Sequence, residues 1–160
     1  MKNKYRAIIS RVDLKGNSGK SSFFKWIFLQ NPNRVGRISY GSSSQLRSIL
    51  TKGSAKKIYI IDLPRSKERN DNEIDLLSAI EDLKTGFVIN NMYGDGGALI
   101  MEPPHVIVSS NYILDRDALS QDRWVNCKID NQKRLKELSK RELDSLKENS
   151  SNKIIDGVKK

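Results

Sequence analysis

Cysteine and histidine are scarce in this sequence, and their scarcity excludes several kinds of site. Cys127 is the single cysteine, so no internal disulfide can form. His105 is the single histidine, and with one cysteine it cannot supply the ligands of a Cys/His zinc site. The N-terminal residues lack a signal-peptide pattern, and no apolar run approaches membrane-spanning length. We therefore expect a soluble intracellular protein that has no membrane partner.

Positive charge, in contrast, is abundant. The 160 residues include 29 Lys and Arg against 19 Asp and Glu, which gives a formal net charge of +10 at pH 7. Such a surplus favours a polyanionic partner, because nucleic-acid phosphates release counterions when Lys and Arg neutralise them. Charge alone leaves two alternatives open, a basic surface that only promotes solubility and a surface that binds membranes.

Strand and helix signals alternate along the chain. Short apolar and β-branched runs predict strands at residues 5–12, 35–40, 57–63, 106–109 and 124–129. Apolar residues at helical spacing or density predict helices at residues 21–30, 45–50, 73–84 and 131–148. Strand-like runs at 87–89 and 98–101 flank a segment rich in Gly and Asn, which predicts a hairpin. The alternation predicts an α/β fold with a central, mainly parallel sheet.

The charge distribution divides the chain into two predicted parts. Residues 1–130 are expected to form one domain, and residues 131–160 a charged C-terminal helix with a flexible tail. The many aromatic residues at 21–30 predict a helix that is buried on most sides. Trp26 and Trp124 are accordingly expected in the core.

The turn after the first predicted strand has the composition of a phosphate-binding loop. The candidate cofactor-binding residues are Gly16, Asn17, Ser18, Gly19, Lys20, Ser21 and Ser22. Small residues let backbone N–H groups wrap a phosphate, Lys20 would reach the β- and γ-phosphates, and the Ser21 hydroxyl would bind Mg²⁺. The strict pattern has glycine where this chain has Leu14. An ordinary Gly-Ser turn that opens a helix is the alternative.

Two polar residues follow predicted strands and complete a candidate catalytic site. Asp62 follows an apolar run at the end of the strongest strand, where an acid would hold the metal together with Ser21. Asn111 follows another buried strand, where a polar side chain would orient the attacking water. The alternative for both residues is an ordinary role in a turn or cap.

These ordered motifs resemble the superfamily-three helicase domain of rolling-circle replication-associated (Rep) proteins of circular single-stranded DNA viruses, satellites and related plasmids. The resemblance covers residues 8–129. GNSGKS matches a Walker A variant that lacks the leading glycine, and IYIIDLPRSKE resembles the Walker B segment, with Asp62 as its metal-binding acid. Residues 83–111 resemble the third and fourth motifs, with Asn111 as the sensor. LSQDRW places the arginine finger on Arg123.

The resemblance implies a P-loop NTPase (AAA+-like) three-layer fold with a central, mainly parallel sheet and an inserted β-hairpin. It implies ATP and Mg²⁺ bound between the subunits of a ring, usually a hexamer, that moves along single-stranded DNA, with RNA as the alternative track. The hairpin would contact the strand through Lys84, Asn91, Met92 and Tyr93. A viral member would act in the host nucleus.

Three departures from the family pattern leave other functions open. Met92 occupies the hairpin-tip position where the family usually has Lys or Arg, and Leu63 follows Asp62, so the catalytic base is unassigned apart from Glu68 as a weak candidate. One histidine cannot form a nicking domain's metal site, so nicking would be supplied elsewhere. The alternatives are a nucleic-acid-binding remnant without ATPase activity and a small P-loop kinase with a lid at residues 65–69.

Overall fold

A six-stranded sheet forms the centre of the fold, and a two-stranded sheet stands apart from it. The computed structural model describes residues 7–12, 19–39, 42–63, 73–94, 96–114, 123–130, 132 and 134–146. The strands of the main sheet are β1 (Ile8–Val12), β2 (Val35–Ser39), β3 (Ile58–Asp62), β6 (His105–Ser110), β7 (Trp124–Ile129) and β8 (Leu135–Glu137). The small sheet consists of β4 (Phe87–Asn90) and β5 (Gly97–Ile100). The helices are α1 (Lys20–Gln30), α2 (Ser43–Lys52) and α3 (Glu73–Thr85).

The main sheet has the order β2-β3-β6-β1-β7-β8. All of its pairings are parallel except that of β7 with β8. The predicted α/β fold with a mainly parallel central sheet is therefore confirmed. Because β1, β3 and β6 run in one direction, Val12, Asp62 and Ser110 end them on the same side of the sheet, which we call the carboxyl edge.

The larger core lies between the sheet and helices α2 and α3. The four apolar residues that the spacing places on one face of α3 are all buried: Leu76, Leu77, Ile80 and Leu83. α2 begins at a capping box, in which the side chains of Ser42 and Gln45 each accept a hydrogen bond from the other's backbone N–H. None of the helices in the described part is long and apolar enough to cross a membrane.

Helix α1 packs on the opposite face of the sheet and is mostly exposed. Phe24 is its one buried residue and contacts a small cluster that includes Val35 and Ile60. The prediction of a helix buried on most sides is wrong, and so is the core position of Trp26, which is 59 % exposed. The reason is geometric, since a helix lying on a sheet buries a single stripe, and here the outer stripe is aromatic. Trp124 is buried as predicted.

The predicted hairpin is confirmed and inserts between α3 and β6. β4 and β5 pair antiparallel, with Phe87 opposite Ile100 and Asn90 opposite Gly97. Gly86 begins the hairpin in the left-handed region, with φ +79°. A Cβ atom at Gly86 would overlap the carbonyl oxygen of Met101, whose backbone N–H in turn donates to Gly86 at 2.9 Å. Only glycine fits this closely packed base of the hairpin.

The predicted helix over residues 131–148 is wrong in its first part, because residues 135–137 form β8 and extend the sheet. The turn before β8 is organised by Asp130, whose Oδ1 accepts from the backbone N–H groups of Gln132 and Arg134, both at 2.9 Å. These hydrogen bonds lower the pKa of Asp130, the one from Arg134 most. Thus the predicted boundary at residue 130 separates two strands that pair with each other.

The C-terminal helix begins only at residue 140 and is described to residue 146. Ser139 and Glu142 form a capping box, in which the Ser139 N–H donates to Glu142 at 2.9 Å and the Glu142 N–H donates to Ser139 Oγ at 3.3 Å. The Ser139 backbone hydrogen bond and Lys136 lower the pKa of Glu142 to about 2. The predicted tail at 149–160 lies outside the described residues.

The single cysteine and the single histidine both lie in strands. Cys127 is buried in β7, and burial, followed by the nearby negative charge of Glu137, raises the pKa of its thiol. His105 is the exposed first residue of β6.

Candidate functional site

The carboxyl edge brings together two of the predicted catalytic residues. Lys20 is the first residue of α1, and its Nζ donates a hydrogen bond to Oδ1 of Asn111, although the two are 91 positions apart in the chain. Gly19, in the left-handed region at φ +77°, caps the start of the helix. The ammonium group of Lys20 and the amide of Asn111 therefore converge at one end of a helix and a parallel sheet, where anions bind most readily.

The turn after β6 fixes the position of Asn111. The hydroxyl of Ser110 donates a hydrogen bond to the carbonyl oxygen of Tyr112, which closes the chain around Asn111. Ser109 and Ser110 are both fully buried, so the turn is anchored in the sheet. Because the turn is buried, little further conformational entropy is lost when the Asn111 side chain takes one orientation. Asn111 can therefore hold the ammonium group of Lys20 in place.

Asp62 lies at the same edge, one strand further along the sheet. It ends β3 opposite Ser109 of β6, two residues before Asn111. Its Oδ2 pairs with the Nη2 of Arg37 at 3.5 Å, and its side chain is largely buried. Arg37 belongs to β2 and was not among the predicted site residues. A basic side chain thus stands beside the predicted metal-binding acid.

A buried arginine lies beneath this edge. Arg11 of β1 is buried, and its guanidinium group packs over the ring of Phe24 at 5.6 Å from the ring centroid. This contact joins α1 to the central strand just behind Lys20. An arginine within an apolar strand is visible in the sequence and marks this position as unusual. The sequence does not show that Phe24 is the ring on which Arg11 stacks.

Arg123 lies away from this group. The register pairs Trp124 with Ile8 at the start of β1, so Arg123 stands at the side of the sheet opposite the carboxyl edge. Its guanidinium group forms an ion pair with Glu81 of α3. Within one chain, Arg123 does not reach Lys20 or Asn111. Its predicted role concerns a neighbouring subunit.

The remaining predicted cofactor and metal residues divide into two groups. Gly16, Asn17 and Ser18, like the candidate base Glu68, lie outside the described residues. Ser21 and Ser22 are exposed in the first turn of α1. The Ser21 hydroxyl and the Asp62 carboxylate are oxygen donors of the kind that Mg²⁺ prefers, so these residue types fit a metal-nucleotide site. Within the described ranges, no cluster of three His, Cys, Asp or Glu side chains could hold a metal ion.

The predicted nucleic-acid contacts are split between the interior and the tip of the hairpin. Lys84 is buried at 4 % exposure, where its Nζ donates to the carbonyl oxygen of Pro104 at 2.5 Å and burial lowers the pKa of the ammonium group. This arrangement gives Lys84 a structural role and keeps it from a surface phosphate contact. Asn91, Met92 and Tyr93 are exposed at the tip, and Tyr93 is fully exposed.

No protein-family model matches the chain, and a comparison with curated proteins finds no match.

Proposed function

We propose that this protein is an ATP-dependent helicase motor of a viral or plasmid replication initiator, acting on single-stranded nucleic acid. The observation that carries the proposal is the contact of Lys20 with Asn111 at the carboxyl edge. Lysine after a left-handed glycine, at a helix start and beside a parallel sheet, is the arrangement that holds the phosphates of a nucleotide.

The roles of the residues follow from their positions. Lys20 would bind the β- and γ-phosphate oxygens, and Asn111, which already accepts a hydrogen bond from Lys20, would sense the γ-phosphate and orient the attacking water. Mg²⁺, held by Ser21 and Asp62, would neutralise the charge that develops on the phosphates. Arg37 would balance the negative charge of Asp62.

Assembly would complete the site. Arg123 lies far from the carboxyl edge of its own chain, so an arginine finger at this position would serve the nucleotide of a neighbouring subunit in a ring. Its ion pair with Glu81 would then open as the subunits associate. A homo-oligomeric ring, with single-stranded DNA or RNA as the track, is part of the proposal.

The test is ATP hydrolysis by the full chain, measured with and without single-stranded DNA. We expect Lys20→Ala to reduce hydrolysis by at least about 100-fold, since removal of one preorganised charge-stabilising donor costs that much. Lys25→Ala is the matched control, because Lys25 is exposed on the same helix. Equal hydrolysis in Lys20→Ala and the unmodified chain would contradict the proposal. Strand binding without any Lys20-dependent hydrolysis would instead support the non-enzymatic remnant.

A further inference from the structure

A cavity of about 420 Å³ lies where the hairpin meets helices α2 and α3. Ser44 and Arg47 line it from α2, Asp82 from α3, and Ile89, Asn91 and Met92 from the hairpin. We call it the hairpin cavity. Its volume is within the range of sites for small molecules, and none of its lining residues belongs to a strand of the main sheet.

The charges that line the hairpin cavity cancel each other. Arg47 binds Asp82 through two hydrogen bonds, 2.8 Å from Nη2 and 3.2 Å from Nε, and a third from Nη2 reaches Ser78 Oγ at 3.3 Å. Both hydrogen bonds to Asp82 end on the same oxygen, Oδ2, and the ion pair neutralises the formal charges of the two side chains. No other lining residue is ionisable. The cavity therefore favours an uncharged group.

The segment of chain that forms the hairpin contains no lysine or arginine. From Thr85 to Asp115 the sequence contains no lysine or arginine, although the whole chain carries a net charge of +10. Lys84, at the start of this stretch, is buried against Pro104. Lys and Arg are the side chains that neutralise phosphate charge. The hairpin itself therefore offers no cation to a phosphate backbone, and Arg47 in the cavity is already paired with Asp82.

The remaining lining groups suit a flat, polar-edged ring. Ile89 and Met92 are each more than two-fifths exposed and offer apolar surface, and the methionine sulfur adds a favourable contact with a π system. The Asn91 amide and the Ser44 hydroxyl provide donors and acceptors at the margin. Asn90 holds the shape of the tip, because its buried Oδ1 accepts from the Met92 N–H at 3.2 Å.

We propose that the hairpin cavity binds one unpaired nucleobase of a single strand, so that the hairpin holds its track by bases and not by phosphates. Tyr93, fully exposed at the tip, would stack on an adjacent base. The inference rests on the proposed function for its choice of ligand, but it concerns a different part of the molecule from the nucleotide site.

The probe is a short single-stranded DNA of mixed sequence, compared with a strand of the same length that is abasic at every position, both measured by fluorescence anisotropy. We expect the abasic strand to bind about tenfold more weakly, because loss of one base contact has an effect of that order. Equal affinity for the two strands, or no measurable binding of either, would overturn the inference. RNA strands of the same two designs identify the natural source by their relative affinity.

Substitutions in the hairpin cavity test whether this cavity is the site of base binding. Asn91→Ala and Met92→Ala should each weaken binding of the base-containing strand several-fold and leave the abasic strand unchanged, since the missing contact is to a base. Ile100→Ala is the control, because Ile100 is 75 % exposed on the same hairpin and does not line the cavity. An equal loss for both strands would overturn the base assignment.

Hydrolysis measured in parallel separates this inference from the proposed function. Lys20-dependent ATP hydrolysis with no preference for the base-containing strand would overturn the base cavity and leave the motor standing. A preference for the base-containing strand without hydrolysis would support the base cavity and overturn the proposed motor.

Discussion

The carboxyl edge and the hairpin differ in how they use charge. At the carboxyl edge, Lys20 binds Asn111, and Arg37 pairs with Asp62. Over the hairpin strands the exposed side chains are apolar, and they include Phe87, Ile89 and Ile100. The protein is strongly basic as a whole. The net charge of the whole chain therefore does not predict the local charge of either region, and we expect the two regions to contact different chemical groups.

This difference in the use of charge can be measured as a difference in the salt dependence of binding. Contacts to phosphate weaken steeply as salt rises, whereas base stacking is an uncharged contact that adds little to this salt dependence. A motor that reads bases at its hairpin would hold its track at salt concentrations that weaken the phosphate contacts made elsewhere.

The largest effect is expected at the base of the hairpin. Gly86→Ala should lower the free energy of unfolding by about 3 kcal/mol or more, because the left-handed backbone and the overlap with the Met101 carbonyl act together. Gly94→Ala is the matched control: its φ is +76° but the space around it is open. It should cost only about 1–2 kcal/mol. Urea unfolding of both variants measures the difference, and equal costs would contradict this account of the hairpin base.

The next effect is expected at the carboxyl edge. Asn111→Leu removes the acceptor for Lys20 and should reduce ATP hydrolysis by about 100-fold. Strand binding should change less than twofold, because the hairpin is separate from this edge. Gln30→Leu, the same kind of change at an exposed position of α1, controls for surface hydrophobicity. Full hydrolysis in Asn111→Leu would remove Asn111 from the site.

A smaller effect should follow when charge is added to the hairpin. Met92→Lys places a cation at the tip, and the slope of log affinity against log salt for single strands should steepen by about 0.7. Met92→Leu, which keeps the side chain apolar, should leave the slope unchanged. The slope is measured by titrating salt against a fixed single strand. An unchanged slope in Met92→Lys would show that the tip does not approach the track.

The smallest effect on binding is expected for Lys84→Met, which should leave strand affinity within twofold because the ammonium group is buried. The main expected effect of Lys84→Met is on the pH dependence of the free energy of unfolding. Burial lowers the pKa of Lys84, so between that lowered pKa and the ordinary one the unfolded chain binds more protons than the folded chain. Stability from this group therefore rises with pH through that window and falls as pH drops through the folded pKa. Urea unfolding across alkaline pH should show this rise in the unmodified chain and its loss in Lys84→Met.

Much of the fold could be predicted because its signals are local. The strand at 58–62 is a continuous apolar and β-branched run, and α3 carries its apolar residues at helical spacing. Lys20 and Asn111 could be predicted to meet because both follow strands that are parallel neighbours. The register of the sheet brings such residues to one edge whatever lies between them in the chain.

The errors arose where local signals conflict or where partners are distant. In α1 every position from Phe23 to Leu29 except Lys25 is apolar, so periodicity cannot show which stripe meets the sheet. The start of the C-terminal helix did have a local signal, the capping box of Ser139 and Glu142, which outweighs the helical tendency of the charged residues before it. The pairing of Arg37 with Asp62 depends on the order of β2 and β3, which no short segment specifies.

The buried thiol of Cys127 has a practical consequence for following the hairpin in solution. Alkylating dyes react with accessible thiolates, and Cys127 is both enclosed in β7 and disfavoured as a thiolate. A Tyr93→Cys variant would therefore accept a maleimide fluorophore at the tip while Cys127 stays in place. The fluorophore can therefore be attached at the tip alone, and Cys127 does not have to be replaced first.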